Sequence, residues 1–143
     1  MLKAEDSKVN LFIFNLATDE DNTLLSTNID WVESFAQACE NVTVYSTHVG
    51  KYNLPKNVVV NEIGGGNLKL RLRGFFRVLR FTIEIICSKQ NNKYVFHHMS
   101  PRTAFISGPI LKLCGIKQSL WYSHHKINFE LFFATLIVNK IYS

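Results

Sequence analysis

Two strand-like runs in the last third of the chain each end in a pair of histidines. The first is Lys93-Tyr94-Val95-Phe96-His97-His98-Met99-Ser100-Pro101. The second is Gln118-Ser119-Leu120-Trp121-Tyr122-Ser123-His124-His125, and one helix-length segment, Arg102 to Gly115, separates them. Strand, helix, strand is a βαβ unit, in which the two strands run parallel with the same end up. The pattern predicts both histidine pairs at the carboxyl edge of one sheet, where open α/β sheets hold their ligands.

The rest of the chain extends this alternation. Val9 to Leu16 is a continuous apolar run, as expected of a strand buried on both faces. A polar loop, Ala17 to Asn28, leads to an amphipathic helix over Ile29 to Glu40, with Trp31, Val32, Phe35, Ala36 and Cys39 at helical spacing and Asn28 or Asp30 as candidate cap. Strands are expected at Val42–Thr47 and Val58–Ile63, then a break at Gly64-Gly65-Gly66-Asn67 and the longest helix over Leu68 to Ser88. Lys93–His98 is the fourth strand, Thr103–Cys114 a helix, and Gln118–Ser123 the fifth strand. Phe129–Val138 is a further helix, and Lys140 to Ser143 resembles the start of another strand. Strands alternating with helices predict an α/β fold, a Rossmann-like doubly wound and mostly parallel sheet. The chain's 143 residues suit one domain, and the ending on a short strand reads as the front half of something larger.

Composition narrows the partners. The net charge of +5 favours a phosphate-bearing partner or an anionic membrane surface. Cys39, Cys87 and Cys114 are far apart and odd in number, which reads as buried, reduced thiols in a cytoplasmic protein. No signal peptide is evident, since Leu11 to Leu16 is short and Asp19, Glu20 and Asp21 follow it. No apolar run reaches membrane-spanning length.

Three constellations are candidates for chemistry. Successive strand residues point to opposite faces, so one member of His97/His98 and one of His124/His125 should face a given cleft. An imidazole there can bond a sugar hydroxyl, sit beside a phosphate or shuttle a proton; the remaining histidines are expected to be capped or solvated. No H-E-x-x-H and no obvious acidic third ligand accompany them, so no metal is assigned. The first loop, with Asp21, Thr23 and Ser26, lies where doubly wound folds bind anions. It lacks Gly-x-Gly-x-x-Gly, which argues against a dinucleotide. The helix amides after Ser26 remain an anion candidate, beside the plainer reading of a surface loop. On the long helix, Arg73, Arg77, Arg80 and Glu84 make one polar stripe, either a solvated face or a surface for anionic lipid headgroups. No nucleic-acid-binding pattern is present.

Several stretches in order resemble glycosyltransferase family 4, namely the N-terminal half of a two-domain GT-B enzyme. They are Asn15-Leu16-Ala17-Thr18-Asp19-Glu20-Asp21 with Leu25 and Trp31-Val32; Leu54-Pro55-Lys56-Asn57-Val58; Phe96-His97-His98-Met99-Ser100-Pro101; Pro109-Ile110-Leu111-Lys112-Leu113; and Leu120-Trp121-Tyr122-Ser123-His124. The resemblance covers the chain from about Val9 onward. It implies a retaining transferase that uses a nucleotide-sugar donor with no tightly bound cofactor, acting from the cytoplasm or the inner membrane face. It implies that this half holds a glycan or lipid-linked sugar acceptor, with His124 near the reacting sugar and donor phosphates. His98, Asp21, Thr23, Ser26, His125 and Lys126 would contact substrate.

Two departures stand out. Relatives usually carry a glycine in the first loop where Ser26 stands here, and a side chain restricts close backbone approach. The donor-binding C-terminal domain, required in cis or in trans, is not in this chain, so the isolated chain is expected to be inactive. The competing expectations are a non-catalytic remnant, a partner subunit of a split transferase, and a small nucleotide- or flavin-binding module.

Overall fold

A computed structural model describes residues 8–23, 26–64, 68–123 and 129–142. The elements run β1 (Asn10–Thr18), α1 (Thr27–Ala38), β2 (Asn41–Val49), β3 (Val58–Glu62), α2 (Leu68–Cys87), β4 (Lys93–His98), α3 (Pro101–Leu113), β5 (Lys117–Trp121), α4 (Phe129–Ile137) and β6 (Lys140–Tyr142). The strands form one sheet in the order β3-β2-β1-β4-β5-β6, and every neighbouring pair is parallel. The order reverses between β1 and β4, as in a Rossmann-like, doubly wound α/β domain.

Alternation along β1 shows how the layers are held. Leu11 and Ile13 pack with Val32 and Ala36 of α1. Phe12 and Phe14 point the other way, to Val78, Phe81 and Ile85 of α2 and Leu111 of α3. Covered on both faces, β1 needs apolar residues at consecutive positions, which is why it lacks the period-two pattern of a half-exposed strand. On the α3 side, Leu120 of β5 packs with Ala104, with Ala134 of α4 and with Val138. Among the described residues, α1 covers one face of the sheet, while α2, α3 and α4 cover the other.

β1 and β2 run two residues further than the sequence pattern suggests, pairing Ala17 with His48 and Thr18 with Val49. Polar residues there satisfy one another. Asn15 Nδ2 donates to Thr18 Oγ1 at 3.2 Å, the Thr18 and Ser46 hydroxyls lie 2.8 Å apart, and the Ser46 hydroxyl donates to Asn15 Oδ1. All three residues are buried. A buried polar group in a strand is tolerated when it finds a partner.

Two local expectations are corrected. Neither Asn28 nor Asp30 caps α1. Ser26 occupies the N-cap without a side-chain cap bond. Asn28 lies inside the helix, where its amide donates to the Ala17 carbonyl at 2.9 Å and ties α1 to the end of β1. The thiols are free but not buried as expected. Cys87 and Cys114 are exposed and Cys39 is half-buried, because each lies at or beyond the end of a helix rather than on its inward face.

α3 and α4 approach closely at Gly108. An added Cβ would lie 2.6 Å from Ile137 Cγ2 and 3.3 Å from Gln118 Oε1. Gly74, in α2, has only ordinary contacts in reserve, 3.4 Å to the Gly64 carbonyl oxygen. Gly108→Ala is therefore expected to cost about 1–3 kcal/mol by overpacking. Gly74→Ala should be neutral or gain up to about 1 kcal/mol from helix propensity. Paired urea melts measure the contrast, and equal effects would show that the α3–α4 contact tolerates a methyl.

Candidate functional site at the carboxyl edge

The adjacent histidines at the end of β4 have opposite environments. His97 is fully buried on the α3 side, stacked on Phe14 with ring centroids 5.4 Å apart and planes 8° apart. Its Nδ1 lies 3.0 Å from Thr103 Oγ1, and its Nε2 lies 3.3 Å from Gln118 Oε1. The Gln118 amide nitrogen is committed to the Gly108 carbonyl at 2.8 Å, so Gln118 offers His97 an acceptor. A neutral His97 then carries its proton on Nε2, toward Gln118 Oε1, and its Nδ1 shares the single Thr103 hydroxyl proton with the Ser100 carbonyl, which lies 2.9 Å from Thr103 Oγ1. Both ring nitrogens are used, and burial pushes the pKa down to about 4. His97 is a structural bridge between β4, α3 and β5.

His98 is different. It lies opposite Trp121 in the β4–β5 register, and the two rings stack at 4.9 Å with planes 5° apart. Trp31 of α1 approaches the His98 ring at 5.4 Å and the Trp121 ring at 5.5 Å. His98 is only 5% exposed, and its Nε2 is buried with no hydrogen-bond partner among the described residues. Burial lowers its pKa to about 4, so the ring is neutral at ordinary pH. An unpaired buried polar atom costs about 1–3 kcal/mol. It is the one buried side-chain nitrogen or oxygen among the described residues left without a partner.

The chain turns sharply after His98. Met99 has φ 56°, a left-handed conformation that costs a non-glycine residue roughly 1–2 kcal/mol. Its amide donates to the Trp121 carbonyl at 2.8 Å, and the Ser123 hydroxyl reaches its sulfur at 3.5 Å. These contacts lock the ends of β4 and β5 together and direct Ser100 and Pro101 into the start of α3. Strained backbone of this kind concentrates at functional sites.

Two concavities adjoin this edge. At the β1/β4 switch point, a cleft of about 280 Å³ is lined by Leu16, Thr47, Gly64, Ser100, Arg102 and Thr103. Its rim carries Arg102 in the first turn of α3, a position where the helix dipole also favours negative charge. Sequence reasoning missed Arg102. The signal was Met99-Ser100 after a strand end, followed by Pro101 at a helix start. On the opposite face of the sheet, an apolar groove of about 760 Å³ runs between α1 and the adjoining face of β4 and β5, walled by Trp31, Phe35, Tyr94, Phe96 and Trp121.

The acidic first loop is a strap. Asp19 Oδ1 accepts the amides of Asp21 and Lys51 at 3.2 Å each, and Asp19 Oδ2 lies 3.5 Å from His48 Nε2. Glu20 accepts the Asn53 amide at 2.7 Å, and a Cβ on Gly50 would collide with the Asp19 carboxylate. Asp21 forms an exposed ion pair with Lys51 at 3.4 Å. Thr23 is exposed, and Ser26 is half-buried with its amide bonded to the Asn22 carbonyl at 2.9 Å. The carboxylates thus join the β1–α1 loop to the β2–β3 loop.

The structure therefore brings the ends of β4 and β5 to one edge, as the βαβ reading requires. His98 lies there, while His124, His125 and Lys126 lie outside the described residues. The arginine stripe is divided. Arg77 Nη1 donates inward to the Ile63 carbonyl at 3.0 Å, and Arg80 pairs with Glu84 at 2.9 Å on the surface. Among the described residues, no three His, Cys, Asp or Glu side chains converge as metal ligands. No helix among them is long and apolar enough to cross a membrane. Neither a protein-family profile nor a curated protein matches the chain.

The histidine environments set a pH dependence. Both His97 and His98 titrate near 4 when folded, against an ordinary value of 6.5. Between those values the unfolded chain binds more protons, so stability rises with pH across the window. It is fully present above about pH 6.5 and declines as pH falls toward about 4. Thermal midpoints between about pH 7 and about pH 4 should drop, and His98→Phe should flatten the slope. A slope unchanged in His98→Phe would mean that His98 is not buried neutral. His97→Ala, which strips partners from Gln118 and opens a cavity, should cost about 2–4 kcal/mol in a urea melt.

Proposed function

We propose that the chain is the acceptor-side half of a retaining glycosyltransferase of the family 4, GT-B type. In this reading, it holds a glycan or lipid-linked sugar while a second domain, in cis or in trans, grips the nucleotide-sugar donor. One observation carries the reading. Nε2 of the neutral, buried His98 imidazole has no partner among the described residues, at the carboxyl edge of the sheet beside the left-handed turn at Met99. Replacing that nitrogen by carbon would relieve its desolvation, so its retention fits a role filled by a hydroxyl of a bound molecule.

Other features support the same assignment. Trp31 and Trp121 flank the imidazole with flat apolar surfaces suited to the carbon face of a sugar ring. Arg102 and the start of α3, at the switch-point cleft, suit a donor phosphate. The strap made by Asp19, Glu20 and Asp21 fills the first loop with negative charge, which disfavours a dinucleotide pyrophosphate there. His124 follows Ser123 of the β5 end, and in this reading it contacts the donor sugar or phosphate. Catalysis in the completed enzyme would come from positioning and charge stabilisation.

The uncovered apolar groove favours one variant of this reading, a subunit of a split transferase. All-parallel sheets normally have both faces covered by helices. Here the face over β4 and β5 shows Trp31, Tyr94, Phe96 and Trp121 along an open groove. A helix supplied by the complementary polypeptide would complete it.

The test is a titration of the isolated chain with free glycans, lipid-linked sugars, nucleotide-sugars and flavin, followed by side-chain NMR. A sugar acceptor should shift the His98, Trp31 and Trp121 signals. His98→Phe should abolish those shifts while leaving the thermal midpoint unchanged or raised by the equivalent of about 1 kcal/mol. Tight binding of flavin or a dinucleotide would overturn the reading in favour of a small nucleotide-binding module.

A further inference from the structure

α2, α3 and α4 lie side by side in one layer, and the outer surface of that layer is unusual for a solvated one. On α2, Leu72, Phe76 and Ile83 are 56%, 65% and 57% exposed. They recur at i, i+4 and i+11, so they form a single line along the helix. Arg73 and Arg80 lie along one flank of that line, and both are exposed. α4 repeats the apolar line with Phe129, Phe132 and Leu136, all more than half exposed. A crossover helix that merely faced water would carry polar residues at these positions.

The arginines divide by task. Arg77 is spent on the Ile63 carbonyl, holding the crossover helix against the end of β3. Arg80 is held by Glu84 only through an exposed ion pair, a contact of little net worth. Its remaining N–H groups and the Arg73 guanidinium stand beside bulky apolar side chains. Phenylalanine and leucine that enter an acyl boundary, with arginines at headgroup level, are the signature of an interfacial helix. The overall charge of +5 has the sign that anionic lipid attracts.

We propose that the outer surface of the α2–α4 layer docks on an anionic phospholipid membrane. Leu72, Phe76 and Ile83 would enter the interface, and Arg73 and Arg80 would bind headgroup phosphates. This docking does not rest on the transferase reading and stands or falls separately from it.

Sedimentation of the whole chain with lipid vesicles tests it. Vesicles of phosphatidylcholine containing phosphatidylglycerol should carry the protein into the pellet, and vesicles of phosphatidylcholine alone should carry much less. Added salt should weaken the binding. Arg73→Glu with Arg80→Glu should lower the partition coefficient roughly tenfold or more. Phe76→Ser with Ile83→Ser should do so through lost apolar insertion, and thermal melts of both variants should show that the fold is kept. Three results would overturn the proposal: no co-sedimentation with anionic vesicles, equal binding by wild type and both variants, or vesicle-free dimerisation that Phe76→Ser disrupts. The last would assign the surface to a second copy of the chain.

Discussion

The parallel pairing of β4 with β5 is the interaction on which the rest of the site depends. It places His98 opposite Trp121, brings the Met99 amide to the Trp121 carbonyl, and sets Gln118 beneath His97. Each contact requires the same register. A slip by one residue would exchange the two faces of a strand, expelling His97 from its polar bridge and turning His98 into the helical layer. The His97–Thr103–Gln118–Gly108 network fixes that register from below, because each of its polar groups is satisfied only in this alignment.

Adjacent imidazoles illustrate how strand alternation divides labour. His97 spends both nitrogens on the interior and binds three elements together. His98 spends its ring on aromatic stacking, and its Nε2 has no partner among the described residues. Both are neutral for the same reason, desolvation, yet only one has capacity left for a ligand. A structural bridge and the proposed acceptor contact therefore sit one residue apart at the end of a single strand. The acidic loop shows a similar economy, since Asp19 and Glu20 bind backbone amides across two loops rather than a ligand.

Much of the architecture was legible in the sequence because its signals were local. Continuous apolar runs marked strands buried on both faces, 3.6-residue periodicity marked α1 and α2, and the first histidine pair marked the end of β4, whereas β5 ends at Trp121, short of the second pair. The extension of β1 and β2 was not legible. Thr18 and His48 look like loop residues until Asn15, Thr18 and Ser46 are seen to satisfy one another across strands. Asn28 was likewise read as a cap, whereas its partner, the Ala17 carbonyl, is supplied by tertiary structure. Which of His97 and His98 keeps a nitrogen without a partner among the described residues could not be read either. That depends on Gln118 and Thr103, more distant in sequence than any periodicity reaches. Arg102 became visible as a cleft residue only once the left-handed turn at Met99 fixed the direction of α3.

The proposed acceptor site requires His124 to join His98 and Trp121 at the carboxyl edge of the sheet. The most direct measurement is through-space proximity in solution, from nuclear Overhauser contacts among assigned histidine and tryptophan ring protons of the intact chain. Contacts linking the His98 and Trp121 rings are expected, together with contacts from the His124 ring to that same cluster. A His124 ring in contact only with the opposite, helix-covered face of the sheet, and never with the His98 cluster, would contradict it.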